Sequence, residues 1–112
     1  MQLRASGEAS GQDFDLKAVI GQGEGGIPDG AILITFAEAV LGDDEAALTT
    51  AREGVLQALG EAALVDAAGI VATFNAIDRV ADASGTPLDE ARLEASADLR
   101  AELELDAFLT LA

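Results

Sequence analysis

The sequence predicts an all-α protein, because three features of the 112-residue chain agree. From Asp29 onward, apolar residues recur at spacings of three and four, the period of an amphipathic helix. Glycine follows each of these segments, at positions where helices commonly end. Aromatic residues make up only 4% of a chain that is 50% hydrophobic, so the core must be aliphatic. We expect a small helical bundle of about four helices with an extended N-terminal arm, completed by homo-oligomerisation.

The N-terminal part is predicted to be separate from the helices, with residues 1–28 as a flexible or extended arm and residues 29–112 as the helical domain. Phe14, Leu16 and Ala18 alternate with polar residues before Val19-Ile20, which indicates a short strand or an extended arm. The stretch that follows is rich in glycine, and ordering its backbone carries a high entropy cost.

Three helices are predicted between residues 29 and 83. The first covers residues 29–42, and the carboxylate of Asp29 is expected to accept hydrogen bonds from its first-turn N–H groups. The second covers residues 43–60 and begins with three consecutive acidic residues, which complement the partial positive charge of a helix N-terminus. The third runs from residue 61 to about residue 83.

The third helix is apolar on nearly all sides, so it must be covered from more than one direction. Three helices from one chain cannot do this easily, and the simplest further cover is the same helix of a second subunit. The predicted oligomer interface consists of Leu64, Ala67, Ala68, Val71 and Phe74.

A fourth helix is expected after the break at Ser84-Gly85-Thr86-Pro87. Thr86 is the expected N-cap, with Pro87 in the first turn, and apolar residues continue at helical spacing to Leu103. Residues 103–112 fit both a helix and a strand, and helix is the favoured interpretation.

Charge and composition exclude several classes of function. With 21 acidic and 6 basic residues the net charge is −15, which disfavours nucleic acid. It favours a basic protein partner or a solvated acidic surface of the kind that suits high salt. The chain contains no Cys and no His, so thiol chemistry, imidazole bases and Cys or His metal ligands are excluded. We expect no catalytic residue, cofactor, metal or membrane contact, and a cytoplasmic location.

The stretch GQGEGG at residues 21–26 matches the Gly-x-Gly-x-x-Gly fingerprint of dinucleotide-binding turns. That motif requires a strand, a helix and a second strand around it, whereas residues 43–83 predict two further helices. Glu24 lies inside the loop and would repel a pyrophosphate. The sequence therefore favours a flexible connector, in which alanine at Gly23 and Gly26 would leave the helices intact.

The remaining candidate site is polar and lies on the third helix. Asp78 and Asp82 are one turn apart and could share a cation, but Arg79 and Asn75 lie at helical spacing beside them. We interpret Asn75, Asp78, Arg79 and Asp82 as an interhelical or intersubunit polar network.

Residues 66–89, DAAGIVATFNAIDRVADASGTPLD, resemble the C-terminal helix of alkylhydroperoxidase-like proteins, the carboxymuconolactone decarboxylase superfamily. The resemblance rests on Phe74, Asn75, Arg79, Ala81, Asp82, Gly85, Pro87 and Leu88. It implies an all-helical fold that assembles through its apolar helices. Peroxidase members of the superfamily use a Cys-x-x-Cys pair with a nearby Glu and His on an earlier helix. This chain resembles only the later half and has no cysteine, so no catalytic residue carries over.

Three functions follow as hypotheses. The first is a non-catalytic, homo-oligomeric helical protein that acts as an interaction or small-ligand-binding module. The second is an accessory subunit that completes a peroxidase-like active site with a separate Cys-bearing partner. The third is an acidic module that binds a basic protein.

Overall fold

The computed structural model describes residues 8–20, 23 and 25–107, except for the side chains of residues 19 and 20. These residues contain five α-helices of six or more residues, one five-residue 3₁₀ helix and no β-strand. The predicted all-α class is confirmed for this part of the chain. Residues Pro28–Thr86 group into one compact unit, and the described parts of Met1–Ile27 and Pro87–Ala112 group into a second. The predicted boundary after residue 28 stays a prediction.

The unit Pro28–Thr86 consists of three helices joined by short connections. Helix α1 spans Gly30–Leu41, α2 spans Glu45–Leu59 and α3 spans Glu61–Ser84, in agreement with the predicted segments. The Asp44 carboxylate begins α2 by accepting hydrogen bonds from the backbone N–H groups of Ala46 and Ala47, at 2.9 and 3.1 Å. Each of the three helices contacts the other two.

The core of this unit is formed by Phe36, Ala51 and Val55, which come from α1 and α2. Leu64 and Ala67 of α3 pack against these residues. Further apolar side chains from α1 and α2 surround the cluster, namely Ile32, Ala39, Val40, Leu48 and Leu59. Burial of these side chains, which are aliphatic except for Phe36, is the main stabilising contribution.

The expected cap at Asp29 is wrong. Asp29 adopts the left-handed conformation, with φ 57°, and its side chain makes no capping hydrogen bond. Its backbone carbonyl instead accepts from the N–H of Leu33 at 3.2 Å. The turn before α1 therefore uses the tolerance of Asp for positive φ and not its carboxylate as an acceptor.

The strand or extended arm expected at residues 14–20 is also wrong, because residues Leu16–Ile20 form a 3₁₀ helix. The Asp15 carboxylate accepts from the N–H of Lys17 at 3.0 Å, and the Asp15 N–H donates to the carbonyl of Gly25 at 3.1 Å. A local Asx-type bond of this kind favours a turn over an extended backbone. Residues 1–7 of the predicted arm lie outside the described residues.

The glycine-rich connector is an ordered turn at its described positions. Gly23, Gly25 and Gly26 have φ values of 80°, 77° and 70°, which favour glycine. A Cβ at Gly26 would lie 2.9 Å from the carbonyl oxygen of Asp13, so alanine there requires a local shift of the turn, and whether the helices stay intact remains a prediction. Residues 21, 22 and 24 lie outside the described residues.

The fourth helix differs from its prediction in its start. Asp89, and not Thr86, is its N-cap, and the Asp89 carboxylate accepts from the N–H of Arg92 at 2.8 Å. Thr86 is used by the end of α3, where its N–H donates to Ala81 and its hydroxyl pairs with that of Ser84. Thr86 therefore contributes to the C-terminus of α3, and the N-cap of the next helix falls on Asp89.

The same segment is divided at Ser96 into α4, Glu90–Ala95, and α5, Ala97–Glu102. The Ser96 hydroxyl donates to the carbonyl of Arg92 at 2.6 Å, and the Arg100 guanidinium donates to the carbonyl of Leu93 at 3.1 Å. These side-chain bonds compete with the helical backbone ladder. The segment that contains these two helices belongs to the other unit, so the unit Pro28–Thr86 contains three helices, and a bundle of about four stays a prediction.

Of the tail, residues 103–107 are described, and residues 105–107 form a single helical turn. Arg100 forms an ion pair with Asp106 there, with 2.9 Å between Nε and Oδ1. Residues 108–112 lie outside the described residues.

Candidate interaction surface

The most conspicuous surface of the unit Pro28–Thr86 is apolar and follows α3. Ile70, Phe74 and Ile77 are 59%, 61% and 57% exposed. Their spacings of four and three residues put them in one stripe on the helix, and Ala81 continues it by one turn. Large apolar side chains that cluster at such exposure mark an interaction site more often than isolated ones do.

The end of the stripe at Ile77 is uncovered because α3 is longer than its neighbours. With about 1.5 Å of rise per residue, the 24 residues of α3 extend about 36 Å, against about 22 Å for the 15 residues of α2. The 12 residues of α1 reach about 18 Å. The first half of α3 packs on these helices, whereas residues 76–84 are all exposed.

A groove between α1 and α3 joins the stripe to α1. It is lined by Leu33, Ile34, Phe36 and Ala37 from α1 and by Ala67, Ile70 and Val71 from α3. Leu41 lies two turns after Ile34 on the same side of α1 and is 59% exposed. We refer to Ile34, Leu41, Ile70, Phe74 and Ile77 as the apolar face.

The predicted oligomer interface is divided between two environments. Leu64 and Ala67 are half-buried against the core of their own chain, and Val71 is half-buried in the groove beside α1. Ala68 and Phe74 are exposed. The apolar side chains of α3 are thus covered by α1 and α2 on one side of the helix and exposed on another.

The predicted polar residues are not joined to one another within the chain. Asn75 is half-buried, and Asp78, Arg79 and Asp82 are exposed. In the described ranges, the ion pairs are Arg92 with Asp89 and Arg100 with Asp106, and neither involves α3. An intersubunit role for these four residues stays a prediction.

Polar side chains lie beside the apolar face, since Asp66 and Thr73 line a shallow hollow on α3 together with Ile70 and Phe74. The part of the chain that the structure describes has no group of three or more carboxylates placed to hold a metal ion. Nor does any of its helices combine the length and the apolar character needed to cross a membrane.

Sequence reasoning missed Ile34 and Leu41. Ile32 and Phe36 of α1 pack in the core, and Leu33 lines the groove beside α3. The separation of seven residues between Ile34 and Leu41 is a signal for a second apolar side of the helix. This spacing indicates that Ile34 and Leu41 lie on the same side of α1. Whether another helix covers that side depends on tertiary packing.

No known protein family, curated protein or solved structure matches this chain.

Proposed function

We propose that the protein is a non-catalytic, homo-oligomeric helical module whose copies associate through the apolar face. The observation that carries the proposal is the stripe of Ile70, Phe74 and Ile77, each more than half exposed on a helix that extends beyond its neighbours.

The apolar area is large enough to matter energetically. Fully burying a Leu, Ile or Phe side chain contributes about 1.5–3 kcal/mol, so one that is more than half exposed retains about 1–2 kcal/mol. Leu41, Ile70, Phe74 and Ile77 from two copies would together contribute on the order of 10 kcal/mol. Association costs about 4–15 kcal/mol, so these side chains alone leave at most about 6 kcal/mol of net binding free energy, and we expect a complex at concentrations of tens of micromolar or higher.

A second copy is the occupant that fits the length of the face. The partner's α3 has the same length and the same apolar stripe, and a two-fold axis near Phe74 would bring the two stripes together. The resemblance of residues 66–89 to the C-terminal helix of alkylhydroperoxidase-like proteins, which assemble through their apolar helices, supports the same occupant.

The test is the mass of the full chain by sedimentation equilibrium at micromolar concentrations. The wild-type chain is expected to be a dimer or larger, and Phe74→Glu is expected to be a monomer, because it places a charge in the middle of the stripe. Ala72→Glu is the matched control, since residue 72 is exposed, lies on the far side of α3 from Phe74 and receives the same charge.

Circular dichroism must show equal helix content in both variants. A monomeric wild-type chain would refute the proposal. Equal dissociation by the two substitutions would show that added charge, and not the apolar face, controls association.

A further inference from the structure

A second groove in the unit Pro28–Thr86 runs between α1 and α2, and no residue of α3 lines it. Its lining consists mostly of small side chains, among them Ala31, Thr35, Ala47, Thr50, Ala51 and Gly54. The Thr50 hydroxyl donates to the carbonyl of Ala46 at 3.0 Å, so this donor is satisfied within α2. The groove therefore presents a nearly apolar floor to a partner.

Gly54 has no side chain, so it leaves space in the groove above the backbone of α2. A Cβ at this position would approach only the Ile32 methyl group Cγ2, at 3.9 Å, which is ordinary van der Waals contact. The glycine is thus not required by crowding inside the chain, although glycine within a helix costs about 1 kcal/mol relative to alanine. A floor of Ala, Thr and Gly allows a third helix to approach at an interaxial distance near the short end of the usual range, about 8 Å.

Helical spacing places one carboxylate of each helix beside the residues that line the groove. Glu38 is two turns after the lining residue Ala31 on α1, and Glu53 is two turns after the lining residue Ala46 on α2. Asp43 and Glu45 add two more in the turn and first residue at one end, beside the lining residue Asp44.

Both rim carboxylates, Glu38 and Glu53, are exposed, and neither has an ion-pair partner among residues 8–20, 23 and 25–107. The apolar floor is therefore bordered on two sides by unpaired negative charge. Such a rim repels a second copy of a chain with net charge −15 and attracts a cationic one.

We propose that the α1–α2 groove is a docking site for a basic amphipathic helix of another protein. The apolar side of that helix lies on the Ala, Thr and Gly floor, and its Lys or Arg residues pair with Glu38 and Glu53. A helix of about 12–15 residues matches the length of α1 and α2. The site shares none of the residues of the apolar face, so the two proposals stand or fall separately.

The probe is a synthetic 15-residue helical peptide with Leu and Ala on one side and Lys on the other, titrated into the full-length chain by fluorescence anisotropy. We expect saturable one-to-one binding that weakens at least about tenfold when salt is raised, because ion pairing at the rim is screened. A peptide with Glu in place of Lys is expected not to bind. A Lys peptide whose Leu residues are replaced by Ser is expected to bind at least about tenfold more weakly.

Two pairs of variants locate the site. Gly54→Leu fills the groove and is expected to weaken binding at least about tenfold, whereas Gly69→Leu adds the same side chain to open space on α3 and should leave it unchanged. Glu38→Lys with Glu53→Lys is expected to abolish binding. Glu61→Lys with Asp66→Lys changes the net charge equally at exposed positions away from the groove and should reduce binding only slightly.

Three results would overturn the proposal. Equal binding by the Gly54→Leu and wild-type chains would exclude the groove, and so would loss of binding in Phe74→Glu, which would place the peptide on the apolar face. A lower mass of Gly54→Leu with unchanged peptide affinity would identify the groove as a contact between copies. The Phe74→Glu chain also separates the two proposals, since a monomeric variant that still binds the peptide supports both.

Discussion

Val55 has no exposed surface, and it lies between Phe36 and Ala51 at the centre of the three-helix core. Its position could be predicted from its place in the apolar stripe of α2. Its complete burial could not, because that depends on how closely α3 approaches. At the scale of single residues, the sequence was least informative about caps, since Asp29, Thr86 and Asp89 are all chemically able to cap and only Asp89 does.

Replacing Val55 with alanine tests this core. Val55→Ala is expected to lower the free energy of unfolding by about 1.5–3 kcal/mol, because it removes two methyl groups from a packed site and leaves a cavity. Val65→Ala is the matched control, since Val65 is 70% exposed on α3, and its effect should lie within about 0.5 kcal/mol. Urea unfolding measures both, and equal effects would contradict the core assignment.

At the scale of elements, the three long helices are local in origin and could be predicted almost to the residue. Their periodicity, the acidic start of α2 and the glycines after each helix are all properties of neighbouring residues. The division at Ser96 could not be predicted, because it depends on the Arg100 side chain reaching back to the carbonyl of Leu93. The 3₁₀ helix at residues 16–20 could not be predicted for the same reason. The N–H of Asp15, just before it, donates to the carbonyl of Gly25, which is ten residues away.

Gly60 joins α2 directly to α3 and has φ 90° and ψ 176°, a region that is essentially restricted to glycine. Gly60→Ala is expected to lower the free energy of unfolding by about 1–3 kcal/mol through backbone strain. Gly69→Ala, in the middle of α3 with open space around it, should raise it by about 0.5–1 kcal/mol. Thermal and urea unfolding of the two variants provide the measurement. A stabilising Gly60→Ala would show that this junction is not constrained.

At the scale of the whole molecule, the net charge of −15 is accompanied by two ion pairs in the described ranges, both outside α1–α3. Most acidic side chains therefore repel one another across the surface. Self-repulsion opposes both the compact chain and its association, and salt reduces it because charges further apart than about 8 Å are screened at physiological ionic strength.

We expect added NaCl to raise the free energy of unfolding and to strengthen self-association, while it weakens binding of the basic peptide. Asp82→Asn should reduce the salt dependence of unfolding and stabilise the chain by about 0.2–0.5 kcal/mol, because it removes a like-charge pair with Asp78 one turn away. Unfolding in urea at several salt concentrations is the measurement. A stability that falls with salt would show that attractive pairs dominate the surface.

The sequence by itself determined the all-α class, the bounds of α1, α2 and α3, and the aliphatic character of the core, because these depend on residues within a few turns of one another. It also indicated that α3 has more apolar surface than one neighbour can cover. Tertiary structure decided which side of α3 is covered: Leu64 and Ala67 pack on the core, and Ile70, Phe74 and Ile77 remain exposed. It also decided that α1 and α2 leave a groove between them. Both depend on the relative lengths and crossing of helices distant in the chain, which periodicity within one helix cannot specify.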